Sequence, residues 1–249
     1  MAGSHYYTKD GELIDGDLRQ ARKLGGLPSP TTVLNILGSP GLKWYFRRQM
    51  FESAVTTPRY VGESDDAYFD RCCHHADEHG QAARDKGGDF HSLVQRFHER
   101  CLTAHWSYAA NGIDAGSLLP QFDAYVDWYS KNVLRSLMVE QAVIGQGYAG
   151  RVDHVAEMMN GQVLCLDVKT QDTTKKKGKF TYYDQWPIQL GAYAGACKIP
   201  IDGLMSVAVS SNLPAVVETK LWEQPLDYYH DIFLGLLKFW KHSNEYYPT

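Results

Sequence analysis

The chain has 249 residues, 44% hydrophobic and 22% charged, which suits one large domain or a domain with a helical appendage and a proper core. Its formal charge of -4 excludes a strongly basic nucleic-acid coat, although an enzyme acting on a polyanion needs only a local basic groove. No apolar run reaches membrane-spanning length, no signal or transit pattern is visible, and five cysteines show neither a CxxC pair nor a disulfide framework, so the expectation is a cytoplasmic protein, bacterial or phage-encoded.

In chain order, residues 1–27 read as a polar, Gly-rich segment in which Asp10-Gly11 turns between short extended stretches. Ser29 is placed to cap a helix with Pro30 at its first position and an apolar face of Val33, Leu34, Ile36 and Leu37. Gly38-Ser39-Pro40 breaks that helix, and the next one starts at Gly41-Leu42-Lys43-Trp44 and carries Arg47 and Arg48. Residues 64–108 look mainly helical and polar, capped by Ser64-Asp65-Asp66, interrupted at Gly87-Gly88 and resuming at Asp89-Phe90-His91. Cys72-Cys73-His74-His75 resembles a zinc motif only superficially, because adjacent helical residues point about 100° apart and no second ligand pair lies at finger spacing. His91 and His98 share a helical face, a placement more common for core or surface histidines than for ligands.

A loop is expected over 111–119 and an amphipathic helix over 120–136, with Phe122, Tyr125, Val126, Tyr129 and Val133 on one side. Two strands follow, Tyr148–Val155 and Gln162–Val168, joined through Asn160-Gly161, a strong hairpin signal. A basic and aromatic loop over 173–184 leads to a helix over 188–197, strands over 203–210 and 215–222, and a closing helix over 226–242. The fold class is α/β: a helical region over 28–136 followed by a core over 137–249, with 1–27 as an extended segment.

The chemistry concentrates between Glu140 and Tyr193. Side chains alternate along a strand, so Asp167 and Lys169 leave one face while Leu166 and Val168 leave the other. If the two strands pair, Asp153, Asp167 and Lys169 meet on one sheet face. Two carboxylates and one lysine buried together are costly unless a divalent cation offsets the charge. Gln189 and Tyr193, four apart, share one face of their helix. The densest basic run is Lys175-Lys176-Lys177-Gly-Lys179, with a solvated loop as the plain alternative. Sixteen tyrosines and six tryptophans are compatible with base stacking. Tyr182, Tyr183 and Trp186 border the site, and Trp186 is the one expected mainly to cover the core.

The ordered set Gly150-Arg-Val-Asp153, Asp167-Val-Lys169-Thr170 and Gln189-x-x-x-Tyr193 resembles the PD-(D/E)xK nuclease superfamily in its RecB-like exonuclease branch. The closest likeness is to the mitochondrial genome maintenance exonucleases and their phage-type relatives, which share Pro28-Ser29-Pro30-Thr31 and Gly88-x-x-His91 in this order. The resemblance implies a restriction-endonuclease-like core, a mixed central sheet flanked by helices, and metal-dependent DNA exonuclease activity on single-stranded ends or flaps. It also implies Mg²⁺ or Mn²⁺ held by Asp153, Asp167, the Val168 carbonyl and His91. Lys169 would position or activate water, Glu140 would supply a further acid, and Gln189 and Tyr193 would brace the site. Phosphate contacts would come from Arg47, Arg48, Lys175, Lys176, Lys177 and Lys179, and stacking from Tyr182 and Tyr183. Replication or recombination proteins are the partners it suggests. No cysteine follows Cys197, so the iron–sulfur cluster of the CRISPR-associated members is not expected. The alternatives are an endonuclease or double-strand exonuclease on the same core, a catalytically silent nucleic-acid-binding partner in recombination, and a hydrolase of small phosphoesters.

Overall fold

The protein is mixed α/β, and its computed structural model describes residues 4–38, 40–174 and 177–248. It divides into two compact units, Leu37–Asp89 on one side and Met1–Ile36 with Phe90–Thr249 on the other. The helical region expected over 28–136 is therefore split, and its ends fold with the sheet.

The larger unit is built on a five-stranded sheet in the order β4-β5-β6-β7-β8: Val133–Gly145, Tyr148–Met158, Val163–Gln171, Gly203–Ser210 and Val217–Leu221. The β6–β7 pair is parallel and the other three are antiparallel, so the sheet is mixed. Helix α7 (Gln185–Ala196) provides the crossover that a parallel pair needs, and α8 (Leu226–Ser243) packs beside it. Cβ atoms at Gly191 would lie 2.8 Å from Tyr229 Cβ, so a bare backbone there lets the two helices approach closely. One core joins this helix pair to the sheet through Tyr148, Val152, Cys165, Leu190, Tyr193, Phe233 and Trp240. A second core lies on the other face, where Leu166, Val168, Val207 and Val209 meet Phe90, Val94 and Phe97 and, from α6 (Leu119–Asn132), Phe122, Tyr125 and Tyr129.

Several expectations shift. Four strands were anticipated, and β4 is a fifth. The helix over 120–136 ends at Asn132, and Val133–Ser136 already belong to β4. Irregular register near Val133–Arg135 and Ser136–Met138 breaks the period of two that marks a strand, which hides β4 from pattern reading. The two strands expected to end at Val155 and Val168 run further, β5 to Met158 and β6 to Gln171.

The N-terminal segment forms a small sheet, β2-β1-β3, from Leu13–Ile14, Tyr6–Tyr7 and Leu27–Pro28. Between them lies α1 (Leu18–Leu24), capped by Asp17 and not anticipated from the sequence. Ser29 does cap α2 (Pro30–Leu34), accepting from the Thr32 N–H at 3.0 Å, with Pro30 in the first turn.

In the smaller unit, α3 (Pro40–Thr56) and the first part of α4 (Asp65–Cys101) form a helical hairpin. Ser53 Oγ donates to the Cys72 carbonyl at 2.8 Å, and Arg71 pairs with Glu63 at 2.8 Å. The break expected at Gly87-Gly88 is absent: α4 continues through both glycines. Each costs about 1 kcal/mol against alanine, too little to stop a helix held by the apolar residues that follow, Phe90, Val94 and Phe97. His74 lies 3.4 Å from Glu78 while His75 Nδ1 lies 3.0 Å from Thr57 Oγ1, so the two rings turn to different partners.

Candidate active site

Strands β5 and β6 pair antiparallel, with His154 opposite Leu166, which sets Asp153 and Asp167 on adjacent strands at the same level. Asp167 and Lys169 share the face toward α7, while Leu166 and Val168 enter the core on the other side. Lys169 Nζ lies 2.7 Å from Asp167 Oδ1. Asp167 is 2% exposed, and its second oxygen, Oδ2, is buried without a hydrogen-bond partner. A buried carboxylate oxygen left unpaired is expensive, and such exceptions call for an explanation in terms of function or a bound ion.

The electrostatics follow from that crowding. Burial and then the charge of Asp167 hold the Asp153 carboxyl well above the usual aspartate range, against the opposing effect of Lys169. Burial works to discharge Lys169, but Asp167 and Asp153 outweigh it and keep its pKa above that of an ordinary lysine. The ammonium therefore stays charged.

His91, on α4, reaches the same place. Its ring lies against the Val168 carbonyl and senses both Lys169 and Asp167; burial, then Lys169, lower its pKa. The helix thus delivers a neutral imidazole to the backbone between the two charged residues of β6.

Glu140 lies opposite Asp153, between the Val139–His154 and Gln141–Val152 pairs. It adopts a left-handed conformation, φ 47°, inside a strand. Such a backbone costs roughly 1–3 kcal/mol in a residue other than glycine and tends to mark functional positions. Burial raises the Glu140 pKa, with Arg151 opposing and Glu99 adding to the rise, and its charge is felt at Asp153.

From α7, Gln189 Nε2 donates to Tyr193 Oη at 3.2 Å and to Thr31 Oγ1 at 3.3 Å. A Cβ at Gly150 would stand 2.7 Å from Tyr193 Cε1 and 2.9 Å from Pro30 Cδ. Gly150 is thus required by the close approach of the Tyr193 ring and Pro30 to the strand that carries Asp153. Burial raises the Tyr193 phenol, with Asp153 adding to the effect.

One site residue escaped the sequence reading. Tyr7, on β1, is buried, and its phenol, raised by burial, senses Arg151, Glu140 and Asp153. A two-residue strand leaves no periodic signal by which to find it. Trp186 does more than cover the core, because Lys169 Nζ lies 6.0 Å from its ring centroid. Tyr182 is packed edge-on against Trp186 and Trp222, and Lys220 lies over its ring at 5.5 Å. Those contacts hold the Tyr182 ring in place, half-buried. Tyr183 is 50% exposed.

The basic candidates fall in both compact units. Lys177 and Lys179 are exposed in the loop after β6, and Lys175 and Lys176 lie outside the described residues. Arg47 and Arg48 are exposed on α3 in the other compact unit, where Arg48 pairs with Glu52 at 2.7 Å and lies 5.5 Å from the Trp44 ring.

The opposite face of β5 is also polar. His154 stacks on His98, centroids 3.8 Å apart and planes at 21°. His154 Nε2 lies 2.9 Å from Ser136 Oγ, which lies 2.9 Å from Tyr129 Oη, and His98 Nε2 lies 2.8 Å from Tyr125 Oη. Burial pushes His154 down to about 3 and, with His154 and His91 nearby, His98 well below the usual range.

The donor set suits a hard divalent cation: carboxylate oxygens from Asp153 and Asp167, one of them unbonded, with the Val168 carbonyl between Asp167 and Lys169. Among the described residues, no group of three or more His, Cys, Asp or Glu side chains stands in metal-holding geometry, so a third ligand from the side chains is not prearranged. No helix among the described residues is long and apolar enough to cross a membrane.

No protein-family model matches the chain, and no curated protein does. A solved structure titled "Crystal structure of SSO0001" is 12% identical, covers 82% of this chain and 88% of its own, and has a TM-score of 0.28. A likeness at that level carries no inference about fold or activity, and the mixed α/β architecture stands on the strand order and helices themselves.

Proposed function

We propose that the protein is a metal-dependent DNA exonuclease of the PD-(D/E)xK type, hydrolysing phosphodiester bonds at single-stranded ends or flaps. The observation that carries this reading is the meeting of Asp153, Asp167 and Lys169 on one sheet face with Asp167 Oδ2 buried and unpaired.

Asp153 and Asp167, with the Val168 carbonyl, would hold Mg²⁺ or Mn²⁺, with His91 beside them. When bound, the ion polarises the phosphoryl oxygen and lowers the pKa of water. Lys169, kept charged by its two carboxylate neighbours, offsets negative charge that develops on the phosphate. Asp167 holds that ammonium at 2.7 Å and fixes where its charge acts. Gln189 orients the Tyr193 phenol and joins α7 to Thr31, while the Tyr193 ring packs over the backbone that Gly150 leaves bare. Glu140 supplies a further carboxylate opposite Asp153. Lys177, Lys179 and the exposed Tyr183, in the segment that follows β6, are the nearest candidates in sequence for backbone and base contacts.

The decisive experiment compares a labelled linear oligonucleotide with its covalently closed circle in Mg²⁺, Mn²⁺ or EDTA, with Asp167→Ala as control. Metal-dependent loss of the linear strand alone is expected. Cutting of the circle would replace the exonuclease with an endonuclease on the same residues, and cleavage by Asp167→Ala at the wild-type rate would overturn the site.

A further inference from the structure

Helix α8 turns Tyr229, Phe233, Leu237 and Trp240 into the core, yet a second apolar stripe runs along its outer side. Tyr228, Ile232, Gly235 and Phe239 follow one another at steps of four, three and four, the spacing that lines one edge of a helix and forms the seam of a coiled coil. Tyr228 is 51% and Phe239 59% exposed, Ile232 is half-buried, and Gly235 is exposed. The glycine is the odd member. On α7, Gly191 and Gly195 are bare because a Cβ would stand 2.8 Å from Tyr229 and 2.6 Å from His230. At Gly235 a Cβ would meet nothing within 4 Å, so the single chain offers no packing reason for a residue that weakens a helix. A gap in an exposed apolar stripe is what a knob from another helix fills.

The helix supplies that knob itself. Laid antiparallel about a two-fold axis passing between Phe233 and Leu234, two copies of α8 set Ile232 of each into the gap at Gly235 of the other, and Tyr228 against Phe239. Charge agrees with this arrangement. Asp231 and Lys238, both exposed, lie on one flank of the stripe, two turns or about 10.5 Å apart, beyond the three- or four-residue spacing at which helical side chains pair. An antiparallel copy brings its Lys238 beside Asp231 and its Asp231 beside Lys238, two ion pairs from one symmetric contact. The other flank carries the apolar, half-buried Leu236. A parallel arrangement would face Gly235 with Gly235, leave the gap empty, and set Asp231 and Lys238 beside Leu236 and Ser243.

We propose that the outer face of α8 is a self-association surface whose occupant is a second copy of this chain, held antiparallel by Ile232 in the Gly235 gap and by the Asp231–Lys238 pairs. The proposal goes beyond the nuclease reading and stands without it, because no residue of the seam belongs to the Asp153, Asp167 and Lys169 cluster. A seam of four side chains from each copy lies at the small end of specific interfaces, so the dimer forms and dissociates with concentration.

Sedimentation equilibrium of the full chain, in EDTA and without nucleic acid, tests it independently of any cleavage. The wild type is expected to pass from monomer to dimer as concentration rises. Asp231→Lys weakens the dimer about 10-fold, because like charges then meet at both pairs, and Lys238→Asp does the same. The double exchange, Asp231→Lys with Lys238→Asp, restores the wild-type constant. Gly235→Ala separates folding from assembly. It raises the Tm of the dilute monomer, since alanine favours the helix and its methyl crowds nothing there, yet it weakens the dimer by occupying the place of Ile232. A chain that stays monomeric up to its solubility limit overturns the proposal and leaves the face to a different protein. A dimer that the single reversals or Gly235→Ala leave intact overturns it as well, since the contact then lies elsewhere. A double exchange as weak as either single change rules out the antiparallel pairing on which the proposal depends.

Discussion

Asp153 and His154 are consecutive on β5, and the sheet sends them to faces that treat buried polarity differently. Toward α7, Asp153 joins Asp167 and Lys169, three ionisable groups with one carboxylate oxygen left unpaired. Toward α4 and α6, His154 joins His98, Tyr125, Tyr129 and Ser136, where burial holds the imidazoles neutral and the hydroxyls bond in short chains. The second face holds neutral rings and hydroxyls that serve packing, with His154 Nδ1 left without a partner, whereas the first face keeps charge in a place where charge is costlier than an unpaired neutral nitrogen. Stability accounts for the histidine face. It does not account for the acidic one, and that asymmetry is what directs attention to Asp153 and Asp167.

The largest expected effect tests that division directly. Asp167→Ala or Lys169→Ala should reduce cleavage by at least ~10²-fold, on the scale of losing a preorganised charge at a reacting centre, while circular dichroism shows the fold retained. Normal turnover by either variant would erase the functional contrast between the faces. Phe97→Ala, on the other face, removes a fully buried ring packed on Phe122, Tyr125 and Tyr129 and should cost ~3–5 kcal/mol in denaturant unfolding. At a temperature where it remains folded, its kcat should match the wild type; a matching collapse of kcat would mean the faces are coupled.

Gly150→Ala falls between the two classes. The added methyl meets Tyr193 and Pro30 at 2.7 and 2.9 Å, so overpacking should cost roughly 1–3 kcal/mol and displace the tyrosine that Gln189 orients. Differential scanning calorimetry and kcat measured together should both fall; a loss in only one would assign Gly150 to one role. The smallest effect is in the pH response of the histidine face. The folded pKa of His154 lies near 3, below the value of about 6.5 expected when unfolded, and His98 is depressed as well. Their contribution to stability is therefore present above pH ~6.5 and lost as pH falls below it, because the unfolded chain then binds protons that the folded one does not. Urea unfolding between pH 7.5 and 5.5 should show a shallower slope in His98→Gln than in the wild type. Identical slopes would show that His98 binds protons alike in the folded and unfolded states.

Much of the site is legible in the sequence because its signals are local. Alternation along Leu166–Lys169 assigns faces, Asn160-Gly161 brings β5 and β6 into one hairpin, and the i, i+4 spacing joins Gln189 to Tyr193. What escapes local reading depends on partners distant in the chain or on broken periodicity. β4 hides behind its register irregularities, the Gly87-Gly88 pair does not interrupt α4, and Tyr7 reaches the site from a strand of two residues.

The sequence by itself determined the α/β alternation, the hairpin, the capped helix at Ser29 and the set of acids and lysine, because turn chemistry and side-chain period act over a few residues. Only the tertiary structure decided that Asp167 Oδ2 is buried without a partner, that Trp186 lies near Lys169, and that His98 stacks on His154. Those facts depend on how distant segments fill one volume and on which groups lose water there, and no short window of sequence carries that information.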